Sequence, residues 1–185
     1  MSDTQWPAFQ VFKQDREGEP HENVGTVHAP DAELALLNAR DVFVRRPECV
    51  SLWVAPEAQI TSRTAEEITT GVAPDGAAGP EDEYRVFKKV HQRGSHVHAG
   101  SVSARSPIEA LARAREAFAA PPALVWWVAP ARSFAETAVE DRPSMFEGAR
   151  EKPYRDQAFY HTETLMRQIR YGKDAFRGVN EEAGE

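Results

Sequence analysis

The sequence predicts an α+β protein made of two tandem ββαβ units, each a β-grasp-like (ubiquitin-like) roll, packed as a pseudo-two-fold pair with a C-terminal aromatic and helical tail. The main observation is an internal repeat. Residues 9–56 return in degraded form at residues 84–130, at an offset of about 75 residues. Both copies also show the same order of local signals, and their apolar helix positions coincide. We call these segments copy one and copy two.

The first element of each copy is predicted to be a β-hairpin. Residues 9–13 and 84–88 are rich in β-forming side chains. In copy one, a stretch with Gly and Pro leads into a second strand over residues 21–29. In copy two, the Gly-Ser pair at 94–95 supplies the turn.

A helix is predicted next. Ser106 occupies the N-cap of copy two, Pro107 the first helical position, and Glu109 the third residue after the cap, while Asp31 is the cap of copy one. The apolar positions follow the i, i+3, i+4, i+7 spacing of one buried face. They are 32, 35, 36, 39, 42 and 43 in copy one, and 107, 110, 111, 114, 117 and 118 in copy two.

Each helix is followed by a proline and then by a short apolar run, at 49–55 and at 124–129. Such a run is typical of a strand that is covered on much of both faces. The predicted domain organisation is a first ββαβ unit at 1–60, a flexible linker at 61–83, a second ββαβ unit at 84–131, and a tail at 132–185 with an amphipathic segment.

Two such units are expected to pack against each other. A unit of roughly 50 residues is near the lower limit for independent stability, and its sheet has open edges. Gly25 and Gly100 are predicted to mark a bulge or a close approach of helix to strand. Trp53 and Trp127 suit the core between helix and sheet, with an exposed stacking platform as the alternative.

Composition excludes several classes of function. The net charge of −7 argues against a nucleic-acid surface, which needs clustered Lys and Arg. Cys49 is the sole cysteine in the sequence, so multi-cysteine metal patterns are excluded. The first residues show no secretory signal, and the apolar run at 123–129 is too short to cross a bilayer. We therefore expect a cytoplasmic protein without nucleic-acid or membrane partners.

Few residues form a pattern that points to catalysis. The sequence contains no Glu-x-x-His pair, dinucleotide-binding loop, Walker loop or nucleophile elbow. His91, His96 and His98 come nearest to a metal cluster, but copy one keeps only His21. We expect a surface strand here, and the alternative is a self-contained small-ligand or metal-binding module that uses these three histidines. The sequence predicts no catalytic residue, cofactor or metal.

Two stretches carry a specific order of motifs. In copy one the motif runs from His21 through 24–31 and 35–41 to Arg45 and Arg46. In the tail it comprises Phe146, Glu147, Lys152, Pro153, Tyr154, Arg155, Phe159 and Tyr160. Both stretches closely resemble the B subunit of the multicomponent phenylacetyl-CoA epoxidase.

The resemblance implies a small, non-catalytic component. In that family a separate A subunit carries the di-iron site, a C subunit supports it, and a flavin and iron–sulfur reductase delivers electrons from NADPH. The complex epoxidises the aromatic ring of phenylacetyl-CoA in aerobic phenylacetate degradation. By resemblance, this chain bridges or organises A–C units, with the reductase as a further candidate partner.

The resemblance also suggests where partners bind. The implied partner-binding residues are His28, Asn38, Arg45, Arg46, Tyr154, Arg155, Phe159 and Tyr160. Copy two has lost much of this motif: Ser103 replaces His28, and Arg113 replaces Asn38. We therefore expect copy two to take the place of a second B subunit as an internal mate. The tail is expected either to fold back on its own domain or to dock onto a partner.

Overall fold

The computed structural model of the chain describes residues 6–44, 49–71, 80–150, 166 and 169. Within these residues the fold is a mixed α/β arrangement of one eight-stranded antiparallel sheet and four α-helices. The elements are β1 Ala8–Gln14, β2 Glu22–His28, α1 Ala32–Phe43, β3 Ser51–Pro56, β4 Thr61–Thr64, α2 Ala65–Gly71, β5 Asp82–Lys89, β6 Val97–Ala104, α3 Pro107–Ala117, β7 Val125–Pro130, β8 Ala135–Glu136 and α4 Arg142–Arg150. The mixed helix and strand content predicted from the sequence is confirmed.

The order of elements in residues 6–71, the first half, returns in residues 80–150, the second half. Both halves contain the predicted hairpin, helix and strand, and both continue with a short 3₁₀ turn, another strand and another helix. The repeat is thus longer than the sequence pattern indicated. The comparison with a β-grasp roll is not confirmed: β3 runs antiparallel to β1, and β7 runs antiparallel to β5.

The sheet order is β4-β7-β5-β6-β2-β1-β3-β8. Three adjacent strands come from each half, and one further strand is exchanged at each edge. β4 of the first half pairs with β7 of the second, and β8 of the second half pairs with β3 of the first. Residues 61–71, which the sequence assigned to a flexible linker, therefore form β4 and α2. The reason is tertiary, because the other half supplies their pairing partner. The domain boundaries themselves remain a prediction.

The helix starts follow the predicted capping chemistry. Asp31 Oδ1 accepts a hydrogen bond from the Leu34 backbone N–H at 2.8 Å, and Ser106 Oγ accepts one from the Glu109 N–H at 3.2 Å. A capping box that the sequence analysis did not predict starts α2. Glu67 Oε2 accepts from the Thr64 N–H at 2.8 Å, and Thr64 Oγ1 accepts from the Glu67 N–H at 3.2 Å.

The predicted close approach of helix to strand is confirmed at both equivalent glycines. Gly25 and Gly100 have φ angles of 141° and 145°, which L side chains rarely adopt. A Cβ atom at Gly25 would stand 2.8 Å from the ring of Phe43, and one at Gly100 would stand 2.6 Å from the ring of Phe118. The glycines therefore leave room for the phenylalanine that closes each helix onto its hairpin.

Each helix-covered core receives a side chain from the other half. In the first half, α1 covers Val11, Leu52 and Val54, and Phe146 of α4 joins this core. In the second half, the core of the sheet and α3 is contacted by Ile68 of α2. The two halves thus exchange a strand and also the helix that follows it.

A third core lies between the halves. Phe12, Ala55 and Phe87 are buried there, with Trp53, Ile60, Trp127 and Phe134 packed around them. The rings of Phe12 and Phe87 stack with centroids 4.1 Å apart, although β2 and β6 separate their strands. Three strand steps of about 4.8 Å would keep them roughly 14 Å apart in a flat sheet. The sheet therefore curls until its two halves face each other.

This curl corrects the expectation for the repeated tryptophans. Trp53 and Trp127 line the core between the halves, which is neither the helix-covered core nor an exposed platform. Successive residues of a strand point to opposite faces, so Leu52 and Trp126 take the helix side instead. None of the helices among the described residues is long and apolar enough to span a bilayer.

Candidate interaction site

Two histidine–tryptophan stacks lie at equivalent places between the halves. His21 stacks on Trp53, and His96 stacks on Trp127, each with ring centroids 3.5 Å apart and an interplanar angle of 15°. In each case the histidine immediately precedes the second strand of the hairpin, and the tryptophan lies on the strand after the helix. The repeat has therefore preserved this contact in both copies.

The surroundings of the first stack are charged. The Arg85 guanidinium lies 3.9 Å from the Trp53 ring centroid and 4.7 Å from that of Phe134. Arg85 also forms an ion pair with Glu136 on β8. The His98 ring stands edge-on to Trp53 at 5.1 Å. We call His21, Trp53, Arg85, His98 and Glu136 the Trp53 site.

The equivalent positions around the second stack are His96, Trp127, Gln10, Asn23 and Ser62, which we call the Trp127 site. Trp127 Nε1–H donates to Ser62 Oγ at 3.0 Å, where the other site has Glu136. Asn23 Nδ2 donates to Gln10 Oε1 at 3.0 Å, where the other site has His98 and Arg85. The second site is thus held by neutral hydrogen bonds. Sequence reasoning missed Arg85 and Glu136, although their difference from Gln10 and Ser62 was a readable signal.

Burial keeps the stacked histidines neutral at ordinary pH. It is the main reason that the pKa of His21 is lowered to about 3, and nearby His98, Arg85 and Arg142 act in the same direction. Burial, followed by Lys89, lowers the pKa of His96 to about 4. None of the described residues offers a hydrogen-bond partner to Nε2 of His21, His96 or His98. These rings therefore serve as packing surfaces.

The structure does not assemble the three histidines of the alternative hypothesis. His91 lies exposed in the turn before β6, His96 stacks on Trp127, and His98 contacts Trp53 and Phe87. The expectation of a surface strand was wrong for His96 and His98, because the curled sheet encloses their side. Across residues 6–44, 49–71 and 80–150, no group of three or more His, Cys, Asp or Glu is arranged to hold a metal ion.

Two of the eight predicted partner-binding residues fall within the described part, and the structure brings them together. His28 ends β2 and Asn38 lies on α1, and Asn38 Nδ2 donates to the His28 carbonyl at 3.1 Å. The amide of Asn38 therefore ties helix to strand. The other six lie outside the described residues: Arg45, Arg46, Tyr154, Arg155, Phe159 and Tyr160.

Comparison with known proteins identifies the family. The family model described as phenylacetic acid degradation B (PaaB) matches residues 5–76 and 82–166. Over 67 residues the chain is 42% identical to the 1,2-phenylacetyl-CoA epoxidase B subunit from Escherichia coli strain K12, covering 36% of this chain and 70% of that protein. No solved structure matches the chain significantly. The matched segments coincide with the two halves, so the resemblance to this family is confirmed and extends to copy two. The chain belongs to the PaaB family.

Proposed function

We propose that this chain is a non-catalytic component that bridges or organises a di-iron phenylacetyl-CoA epoxidase complex in aerobic phenylacetate degradation. Its partners are the catalytic A subunit and the structural C subunit, and the complex is cytoplasmic. The Escherichia coli relative is, by its name, a subunit of such an epoxidase. That relationship, together with family membership over both halves, supports the proposal.

The observation that carries the proposal is the exchange between the two family segments. Each half completes the sheet of the other with one strand and covers its core with one helix. Such reciprocal exchange is how two separate subunits would form a closed two-fold dimer. We therefore propose that the chain is a pseudo-two-fold pair in which copy two replaces a second B subunit.

A non-catalytic role is supported by how the polar groups between the halves are used. His21 and His96 are engaged in ring stacking, and Arg85 lies between two aromatic rings and Glu136. A general acid or base needs access to substrate and a pKa near the working pH. Instead, burial moves the pKa of both stacked histidines well below neutrality.

The tail is proposed as a docking arm. Of its residues the structure describes Met166 and Ile169, which are helical with 62% and 67% of their surface exposed. Their three-residue spacing places them on one side of a helix. Exposed apolar side chains in such a segment suit contact with a partner. This supports docking over folding back, and Arg45, Arg46, Tyr154, Arg155, Phe159 and Tyr160 stay proposed contact residues.

Reconstitution tests the proposal. The purified A and C subunits and the reductase are mixed with NADPH and phenylacetyl-CoA, with this chain added or replaced by an equal amount of an unrelated protein. We expect ring epoxidation to depend on this chain and native mass measurement to find it bound to the A and C subunits. Equal turnover without it, in a mixture where it does not bind, would refute the proposal.

A further inference from the structure

Four equivalent positions on the outer surface of the two halves carry opposite kinds of side chain. In the second half they are Glu81, Ser103, Glu109 and Arg113. At the same positions the first half has Trp6, His28, Leu34 and Asn38. The two sets share the same place in the fold: the residue before the first strand, the end of the second strand, and the first two turns of the helix.

In the second half these positions form a single charged cluster. Arg113 pairs with Glu81, with 3.3 Å between Nη2 and Oε1, and with Glu109 one helical turn earlier. The same guanidinium donates to the Ser103 carbonyl. One arginine therefore satisfies two carboxylates and ties α3 to β6, which closes this surface with its own ion pairs.

In the first half the same positions lie together without that network. Asn38 keeps the bond to the strand by donating to the His28 carbonyl at 3.1 Å. The Ala29 N–H donates to the Pro7 carbonyl at 3.2 Å, which holds Trp6 beside the end of β2. We call Trp6, His28, Leu34 and Asn38 the Trp6 patch.

The Trp6 patch exposes apolar surface that the fold does not require. Trp6 is 49% exposed and Leu34 is 42% exposed. The second half shows that glutamates are compatible with both positions in the same backbone arrangement. A partly exposed tryptophan next to a leucine is the kind of anchor on which protein interfaces depend, since Trp is enriched among their energetically dominant residues.

We infer that the Trp6 patch is the surface on which another subunit of the epoxidase docks. This inference rests on the proposed function. Asp31 and Glu33 are exposed beside the patch, and the chain carries a net charge of −7. The docking surface of the partner therefore has an apolar centre that receives the indole and a basic rim that complements these carboxylates. The charged cluster of the second half closes the equivalent surface, so each chain offers this contact once.

Variants of the full chain test the inference against a matched control in the other half. Trp6→Ala and Leu34→Glu alter the patch, whereas Glu81→Ala and Glu109→Gln alter the equivalent positions. Binding to the purified A and C subunits is measured for each, and thermal unfolding shows that each variant is folded. We expect Trp6→Ala and Leu34→Glu each to weaken binding about tenfold or more, and the controls to change it less than about twofold.

Hydroxyl-radical footprinting supplies a measurement that needs no variant. Trp6 of the isolated full chain should oxidise readily and become protected when the A and C subunits are added. Wild-type binding that neither patch variant weakens would overturn the inference and leave the proposed function intact. No binding by the wild-type chain would refute the proposed function itself.

Two other occupants of the patch give distinct results, and either would overturn the inference. If the isolated chain sediments as a dimer and Trp6→Ala makes it monomeric, a second copy occupies the patch. If Trp6 of the isolated monomer already resists oxidation, the chain's own residues cover it.

Discussion

The Trp53 site and the Trp127 site are two versions of one contact, and their difference separates what the fold needs from what it tolerates. Both keep a histidine stacked on a tryptophan at 3.5 Å. Around that stack, Arg85 and Glu136 on one side correspond to Gln10 and Ser62 on the other. The stack and the aromatic core beneath it therefore join the halves, whereas the polar groups at their margin can be exchanged.

The largest expected effect comes from breaking the part that both sites share. Phe12→Ala or Phe87→Ala removes one member of the ring pair at the centre of the joint, where both rings are fully buried. Each variant should lower the free energy of unfolding by about 3–5 kcal/mol, measured by urea denaturation. The double variant should lose less than the sum, because the two rings contact each other. Strict additivity would show that the rings do not couple the halves.

A smaller effect is expected when the charged site is converted to the neutral one. Arg85→Gln places at the Trp53 site the residue found at its equivalent, Gln10. It removes the cation–π contact with Trp53 and the ion pair with Glu136. We expect urea denaturation to show a loss of about 1–2 kcal/mol, reduced by exposure of the carboxylate. Glu136→Ser together with Arg85→Gln should cost little more than Arg85→Gln alone.

The smallest and most gradual effect concerns pH. Burial lowers the pKa of His21 to about 3 and that of His96 to about 4, whereas an unfolded histidine titrates near 6.5. The unfolded state therefore binds more protons below pH 6.5, so stability falls as pH drops from about 6.5 towards these values. Each histidine adds at most about 1.4 kcal/mol per pH unit, a limit that solvent screening reduces.

Replacing either histidine with Gln should flatten this pH dependence of unfolding. The difference between the sites predicts that His21→Gln flattens it over a wider range than His96→Gln, because the charged neighbours of His21 also oppose its protonation. His91→Gln, in an exposed turn, is the control and should leave the slope unchanged. Equal slopes for the wild type and the His21 variant would contradict the prediction.

Much of the local structure followed from the sequence. The repeat, the caps at Asp31 and Ser106, and the close approach at Gly25 and Gly100 depend on short-range chemistry that a single copy displays. Two copies made each pattern more reliable, since the same signals recur at the same offset. The family resemblance was likewise visible in the motif order of copy one.

The candidate sites were harder to predict because they depend on contacts between the halves. Arg85 meets Trp53 and Glu136 only after the second half has paired with the first. Trp6 and Leu34 carried no motif, and they stand out only when compared with Glu81 and Glu109, whose ion pairs with Arg113 show that these positions share a surface.

The sequence alone determined two sibling units, their capped helices, their tight glycine positions and the family to which they belong. These properties depend on side-chain pattern and on residues near one another along the chain. The tertiary structure decided which strand completes which half, which face Trp53 and Trp127 occupy, and that His96 and His98 turn inward. A short strand such as β4 or β8 has no preferred partner until the curled sheet presents an open edge to it.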